Sequence, residues 1–382
     1  MPCFTFATAG QIHFGRGKAA TTVPKLASLH ARILLITGSD TARAGWLIDA
    51  LEAEGADVEI MPVSGEPTVE VIQDGIARGR RAGTGAVIAV GGGAAIDAGK
   101  AVAALIPARR PLSDHLEVVG KGLPLEAKPL PFAALPTTAG TGAEVTRNAV
   151  ISVPDHRRKV SLRDARMLPD IAIVDPSLTD GCPRDVTLAS GLDAVTQVIE
   201  PFLCTRANPM TDAMCRAAIP QGLAALSVLM NAPDDSARDS MAWVSLCGGL
   251  ALANAGLGVV HGLAGPLGGL SGAAHGAICG ALLPHGLAAN AAAARDPALN
   301  ARLDQVRGWI AAAFGGATDD AFATLAAWSD KQGLSGLDAL GITGDMRAGA
   351  AEAAAASSSM KANPVTLDKA QLADILDSAR TP

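Results

Sequence analysis

Along the first half of the chain, short apolar runs alternate with longer stretches in which apolar residues recur every three or four positions. ARILLITGSD (31–40) reads as a buried strand ending in a turn, and TARAGWLIDALEAEGA (41–56) as an amphipathic helix stopped at Gly55. DVEIMPV (57–63) follows as a strand, TVEVIQDGIARGRRAG (68–83) as a second helix and GAVIAV (85–90) as a third strand. PLPFAALPTT (129–138) and DIAIVDPSL (170–178) add strand-like pieces, and the charged patch DHRRKVSLRDARMLPD (155–170) between them reads as a hairpin or loop excursion. Strands joined by helical crossovers predict a parallel sheet. After DPSL the texture changes: from about Thr187 onward the chain is Ala- and Leu-rich with helical spacing and few β-branched runs. An α/β domain over 1–180 and an all-helical domain over 181–382 are expected, with the break at Asp180, Gly181 and Pro183.

A length of 382 residues suits two domains, and 49% apolar with 18% charged residues describes a chain with ample surface to bury. The net charge of −6, with both signs interspersed and no Tyr, argues against nucleic acid as a partner. The six cysteines are scattered without a CxxC, which fits reduced thiols, and the N-terminus shows no secretory pattern, so a cytoplasmic enzyme is expected. From Ser240 to Ala294 there is no Asp, Glu, Lys or Arg. Histidines, asparagines, prolines and glycines interrupt that stretch, so it reads as buried helices and not as a membrane span. Any polar residue in it is conspicuous.

Three motifs and one pair carry candidate chemistry. In GAVIAVGGGAAIDAGK a strand runs through Gly91, Gly92 and Gly93 into a helix bearing Asp97 and Lys100. Glycines let backbone approach a bulky anion, and a helix start offers free N–H groups, so a pyrophosphate is the natural guest; a tight connection alone is the plainer account. LPTTAGTGAEVT places Thr137, Thr138 and Thr141 in a small hydroxyl-rich loop after a strand, suited to phosphate, ribose or amide contacts. Thr141 and Glu144 also have the spacing of a capping box for a following helix. HGLAGPLGGLSGAAHGAICGALLPH brings His261, His275 and His285 into the uncharged stretch. In SGLDAVTQVIE, Asp193 and Gln197 stand four apart and leave one helix face together. Two imidazoles with the Asp193 carboxylate would make a nitrogen and oxygen donor set suited to zinc or ferrous iron.

In order along the chain, these motifs resemble those of the iron-containing, group III alcohol dehydrogenases. The resemblance runs from FxxAGQIHFGRG near the start to LLPH at 282–285. It implies a dinucleotide-binding α/β domain, a helical domain and an active site in the cleft between them. It further implies that Gly92, Gly93, Asp97, Thr137, Thr138 and Thr141 line NAD or NADP, with Lys159 near the ribose, and that Asp193, His261 and His275 hold a divalent metal, iron or zinc. Three departures accompany it. Gln197, a candidate fourth metal ligand through its amide oxygen, weaker and neutral or no ligand at all, stands where the family usually has a histidine; Gly265 replaces a histidine near the substrate, leaving proton relay to another group or water; and Gly38 stands where an acidic residue commonly holds the adenosine ribose, which leaves NADP open, with Asp40 nearby.

The expected activity is hydride transfer between the nicotinamide and a small alcohol, aldehyde or ketone. A maleylacetate reductase-like enzyme without metal is the alternative within the class, and its dicarboxylate substrate would call for cations that the helical segments lack. A dehydroquinate synthase-like lyase would need several Lys and Arg in the helical half, where 240–294 has none. A non-catalytic cofactor-binding protein would bind without turnover. A homodimer is the default assembly.

Overall fold

The computed structural model describes residues 3–355 and 357–381. The chain divides into two compact units, one holding residues 7–138 and 142–180, the other holding residues 3–6, 139–141 and 181 onward.

The first unit is built on a parallel sheet of β1 (Gln11–Phe14), β2 (Arg32–Thr37), β3 (Asp57–Pro62), β4 (Ala86–Gly91), β5 (Phe132–Pro136) and β8 (Ile171–Val174), in the order β1-β8-β5-β4-β2-β3. Apart from the exposed Arg32 that opens β2, its central strands are buried along their length, which is why ILLI, AVIAVG and FAALP read as continuous apolar runs; edge strand β3 alternates instead. The 41–56 segment opens as a 3₁₀ turn over Thr41–Ala44, capped by Asp40, before the helix Gly45–Ala53. Thr68 caps the helix Val69–Ala82, and Gly83, at φ 62°, ends it. Two strands lie outside the sequence reading. β1 is only four residues long and half polar, too brief for a periodic signal. The charged patch does contribute a hairpin strand, β7 (Arg158–Arg163), and its antiparallel partner β6 (Asn148–Val153) comes from the residues just before the patch.

From β2 the chain winds outward to β3 and then returns to the other side of β2 for β4 and β5. The sheet therefore reverses direction between the carboxyl ends of β2 and β4, where open α/β sheets leave a crevice for ligands. Gly38 follows β2, and Gly91 ends β4.

The second unit is helical. Arg184–Leu203, Pro209–Asn231 and Asp235–Asn254 pack on one another, His275–Ala293 packs on Arg184–Leu203, and Val259–Ser271 packs on His275–Ala293, around a core including Leu192, Val195, Ile219, Leu223, Leu263 and Ile278. The charge-free stretch supplies three of these helices, largely buried. By length and composition Pro209–Asn231 could cross a membrane, yet half of its most apolar window is buried within the fold. The two helices that bear on function cross unusually closely. A Cβ on Gly276 would lie 2.5 Å from the Ala189 carbonyl oxygen, and one on Gly280 2.7 Å from Leu192 Cδ1, so only glycine admits this approach. A Cβ on Gly265, in contrast, would meet nothing within 4 Å.

Gly276→Ala is therefore expected to destabilise the protein by about 1–3 kcal/mol through overpacking against backbone. Gly265→Ala should be neutral or gain up to about 1 kcal/mol from helix propensity. Chemical denaturation of the two variants beside wild type checks the contrast.

Candidate active site

The turn after β4 forms as the glycines suggest, but they divide the labour. A Cβ on Gly91 would sit 2.7 Å from Ala95 Cβ and 3.2 Å from the Gly38 nitrogen, so that glycine serves the close approach of strand, helix and neighbouring strand end. A Cβ on Gly92 would meet only Thr138, at 3.5 Å, an ordinary contact. Internal packing thus does not demand glycine there, and its absence of a side chain leaves backbone N–H groups open to a guest. No side chain caps the helix Gly93–Leu105 that begins at this turn, so its N-terminal donors and dipole face the same space. Thr137 N–H donates to the Gly91 carbonyl at 2.9 Å, holding the hydroxyl loop against the turn.

Asp97 and Lys100 act within the protein. Asp97 accepts from Val150 N–H at 3.0 Å, and Lys100, fully buried, donates to Thr146 Oγ1 at 2.9 Å and the Asn148 carbonyl at 2.7 Å, with Asp97 3.5 Å away. They tie the turn's helix to β6. Burial pushes Asp97 up and Lys100 down, each partly opposed by the other's charge. Lys159, on β7, pairs with Glu66 at 3.1 Å. The capping box expected of Thr141 and Glu144 does not form. Gly142, at φ 58°, leads into a single 3₁₀ turn, Ala143–Val145, without a side-chain cap, so the loop has no helix to cap. Glu144 is instead buried, which pushes its carboxyl from 4.5 up to about 7, and its Oε1 has no hydrogen-bond partner.

In the helical unit, Asp193 projects from Arg184–Leu203, His261 from the first turn of Val259–Ser271 and His275 from the start of His275–Ala293. His261 Nε2 lies 3.4 Å and His275 Nε2 3.9 Å from Asp193 Oδ1. Cys279 joins them, its sulfur 3.5 Å from His275 Nε2, and the four donor atoms lie within 4.8 Å of one another. Asp193 Oδ1 and His261 Nε2 are buried, face each other and have no hydrogen-bond partner. An unsatisfied buried polar atom costs about 1–3 kcal/mol. A divalent cation among these donors removes that cost, so the residues present fit one.

Two residues of this centre escaped the sequence reading. Glu200 accepts from His261 Nδ1 at 2.7 Å and from Val260 N–H at 2.7 Å. It orients the imidazole through Nδ1, so that Nε2 points toward Asp193 and would offer its lone pair to a bound cation. The signal was present: Glu200 follows Asp193 by seven residues, two turns along the same helix face. Cys279 follows His275 by one turn, but in the sequence it is only one of six scattered cysteines. Burial opposes charge on both imidazoles, but the Cys279 sulfur and Asp193 outweigh it, joined at His261 by Glu200. His261 thus rises well above the ordinary range and His275 to about 9. Burial would raise Asp193, yet the two imidazoles bring it below its usual value. Gln197, on the same helix as Asp193, donates from Nε2 to the Thr141 carbonyl at 2.6 Å, which leaves its amide oxygen as the atom that could face a cation. His285 lies outside the donor cluster.

A nucleotide-type turn on a parallel sheet and a buried His/Asp donor set on a helical bundle are features that a nicotinamide- and metal-dependent oxidoreductase requires. Family models describing iron-containing alcohol dehydrogenase match residues 9–176, and their C-terminal counterpart matches 187–380. The chain belongs to this family, whose members use NAD(P) and a divalent metal, and it is an oxidoreductase of CH–OH groups. It is 33% identical to alcohol dehydrogenase 4 of Schizosaccharomyces pombe over 80% of this chain and 72% of that protein. It is likewise 33% identical to lactaldehyde reductase of Escherichia coli over 73% of each. A crystal structure of 1,3-propanediol oxidoreductase superposes with a TM-score of 0.87 at 29% identity, covering 99% of this chain and 100% of that one.

The buried carboxyl of Glu144 sets a pH dependence. Because its pKa is raised on folding from 4.5 to about 7, the folded state holds more protons between those values, and its contribution is full below 4.5 and lost as pH rises through about 7. Glu144→Gln should escape that loss, gaining up to about 3 kcal/mol on wild type across the interval. Unfolding midpoints of both proteins measured from acid to neutral pH check it.

Proposed function

We propose that this protein interconverts a short-chain alcohol and its aldehyde or ketone, with NAD or NADP bound at the Gly91–Gly93 turn. Asp193, His261 and His275 would hold a divalent cation, which would supply charge stabilisation to the substrate oxygen. The observation carrying this reading is the pair of facing, unsatisfied buried atoms, Asp193 Oδ1 and His261 Nε2. When bound, the cation stabilises negative charge on the carbonyl or alkoxide oxygen while the nicotinamide supplies or accepts hydride.

The chain's own residues set the conditions. Glu200 keeps the Nε2 lone pair of His261 aimed at the donor cluster. Thr137 and Thr138 border the turn for the nicotinamide dinucleotide, and Thr141 belongs to the same loop. Gly38 presents no carboxylate to repel a 2′-phosphate, while the nearby Asp40 carboxylate accepts from Ala42 N–H at 3.1 Å, which leaves both NAD and NADP open. Gly265, one turn after His261, offers neither a relay group nor bulk; the alcohol proton passes to solvent, and the open space admits the substrate chain. The printed names of relatives, among them lactaldehyde reductase, 4-hydroxybutyrate dehydrogenase and 1,3-propanediol oxidoreductase, support a short, functionalised substrate.

Aldehydes and ketones of increasing chain length, assayed with NADH and NADPH before and after chelation, should show turnover that chelation abolishes and added divalent metal restores. Absence of turnover with every substrate, together with absent dinucleotide binding, defeats the proposal. Gly265→Leu should fold normally and lower kcat/KM for the longest productive aldehyde by about tenfold or more, roughly 1.4 kcal/mol, with less effect on the shortest.

A further inference from the structure

We infer that Cys279 is the fourth protein donor of the cation site and takes the place expected of Gln197. The resulting set of one carboxylate, two imidazoles and one thiolate is matched to zinc in preference to iron. The inference rests on the functional reading above and specifies the centre on which that reading depends.

Donor spacing supports it first. Around a tetrahedral ion about 2.0–2.1 Å from nitrogen or oxygen and about 2.3 Å from sulfur, neighbouring donors stand roughly 3.4–3.6 Å apart. The structure has 3.4 Å between His261 Nε2 and Asp193 Oδ1, 3.5 Å between Cys279 Sγ and His275 Nε2, and 3.9 Å between His275 Nε2 and Asp193 Oδ1. Cys279 is fully buried on the helix turn after His275, and the adjoining Gly280 lets that helix lie against Leu192.

Charge supports it independently. A divalent ion held by one carboxylate and neutral ligands leaves a net positive charge in a buried place, which is costly. A thiolate brings the sum to zero, whereas the neutral amide of Gln197 does not. The Nε2 of Gln197 donates to the Thr141 carbonyl, and its side chain packs where a Cβ on Gly248 would lie 3.3 Å away. It anchors the 139–141 loop to the helix that carries Asp193. Sulfur is the soft donor that favours zinc, and a tetrahedral zinc can expand to five-coordination to admit a substrate oxygen.

Cobalt(II)-loaded wild-type protein should show a thiolate-to-cobalt charge-transfer band in the near ultraviolet, lost in Cys279→Ser and kept in Gln197→Ala. Competition with a chromophoric chelator should show the zinc Kd of Cys279→Ser rising by more than the roughly 10–100-fold that loss of an outer-shell partner costs. That of Gln197→Ala should rise less. X-ray absorption of the zinc-loaded wild type, which needs no variant to fold, should resolve one sulfur at about 2.3 Å. A wild type that takes up neither metal, a zinc shell without sulfur, a band surviving in Cys279→Ser, or metal loss confined to Gln197→Ala overturns the inference. Carbonyl reduction by the same wild-type preparations separates the two readings: turnover without a metal–sulfur signature removes the ligand assignment alone, and the signature without turnover removes the functional reading alone.

Discussion

The helical unit depends on two helices being allowed to touch backbone to backbone. Gly276 lies against the carbonyl of Ala189, and Gly280 lies against Leu192. This contact brings His275 and Cys279 alongside Asp193, whose own position is one turn beyond Ala189. A single methyl group at 276 would stand between them. The precision of the donor cluster is therefore set by packing between rigid elements and not by loops, which is how a constellation of four side chains is held to a few tenths of an ångström.

Around that contact, the chain places polar groups where they are costly and satisfies most of them from a second layer. Glu200 completes His261, and Gln197 fastens a loop that would otherwise be free to drift. Within the donor cluster, Asp193 Oδ1 and His261 Nε2 stay without a hydrogen-bond partner and face each other. The first unit follows a similar division: Gly91 meets a packing need, and Gly92 leaves backbone uncovered.

The sheet and the helical half were legible because their signals are long. ILLI within RILLIT, and AVIAVG, are continuous apolar runs, as expected of parallel strands covered on both faces. β1, with four residues, and β6, whose alternation adjoins the charged patch, carry weaker patterns. Asp193, His261 and His275 were visible through family resemblance and through the oddity of histidines in a stretch without charge. Glu200 and Cys279 escaped because each is unremarkable alone: a glutamate on a helix, a buried thiol. Only the crossing of helices far apart in sequence shows what they face. Thr141 misled, since spacing suggested a cap and Gly142 turned the chain away from any helix.

The chain passes between the two units more often than a simple tandem arrangement requires. Residues 3–6 and 139–141 belong with the helices, although the polypeptide on either side of 139–141 belongs with the sheet. During synthesis both pieces leave the ribosome well before residue 181, so the sheet unit emerges carrying fragments whose packing partners have not yet been made. The helical unit is completed last and from three separate stretches of chain, and cutting the gene at residue 180 would deprive it of two of them.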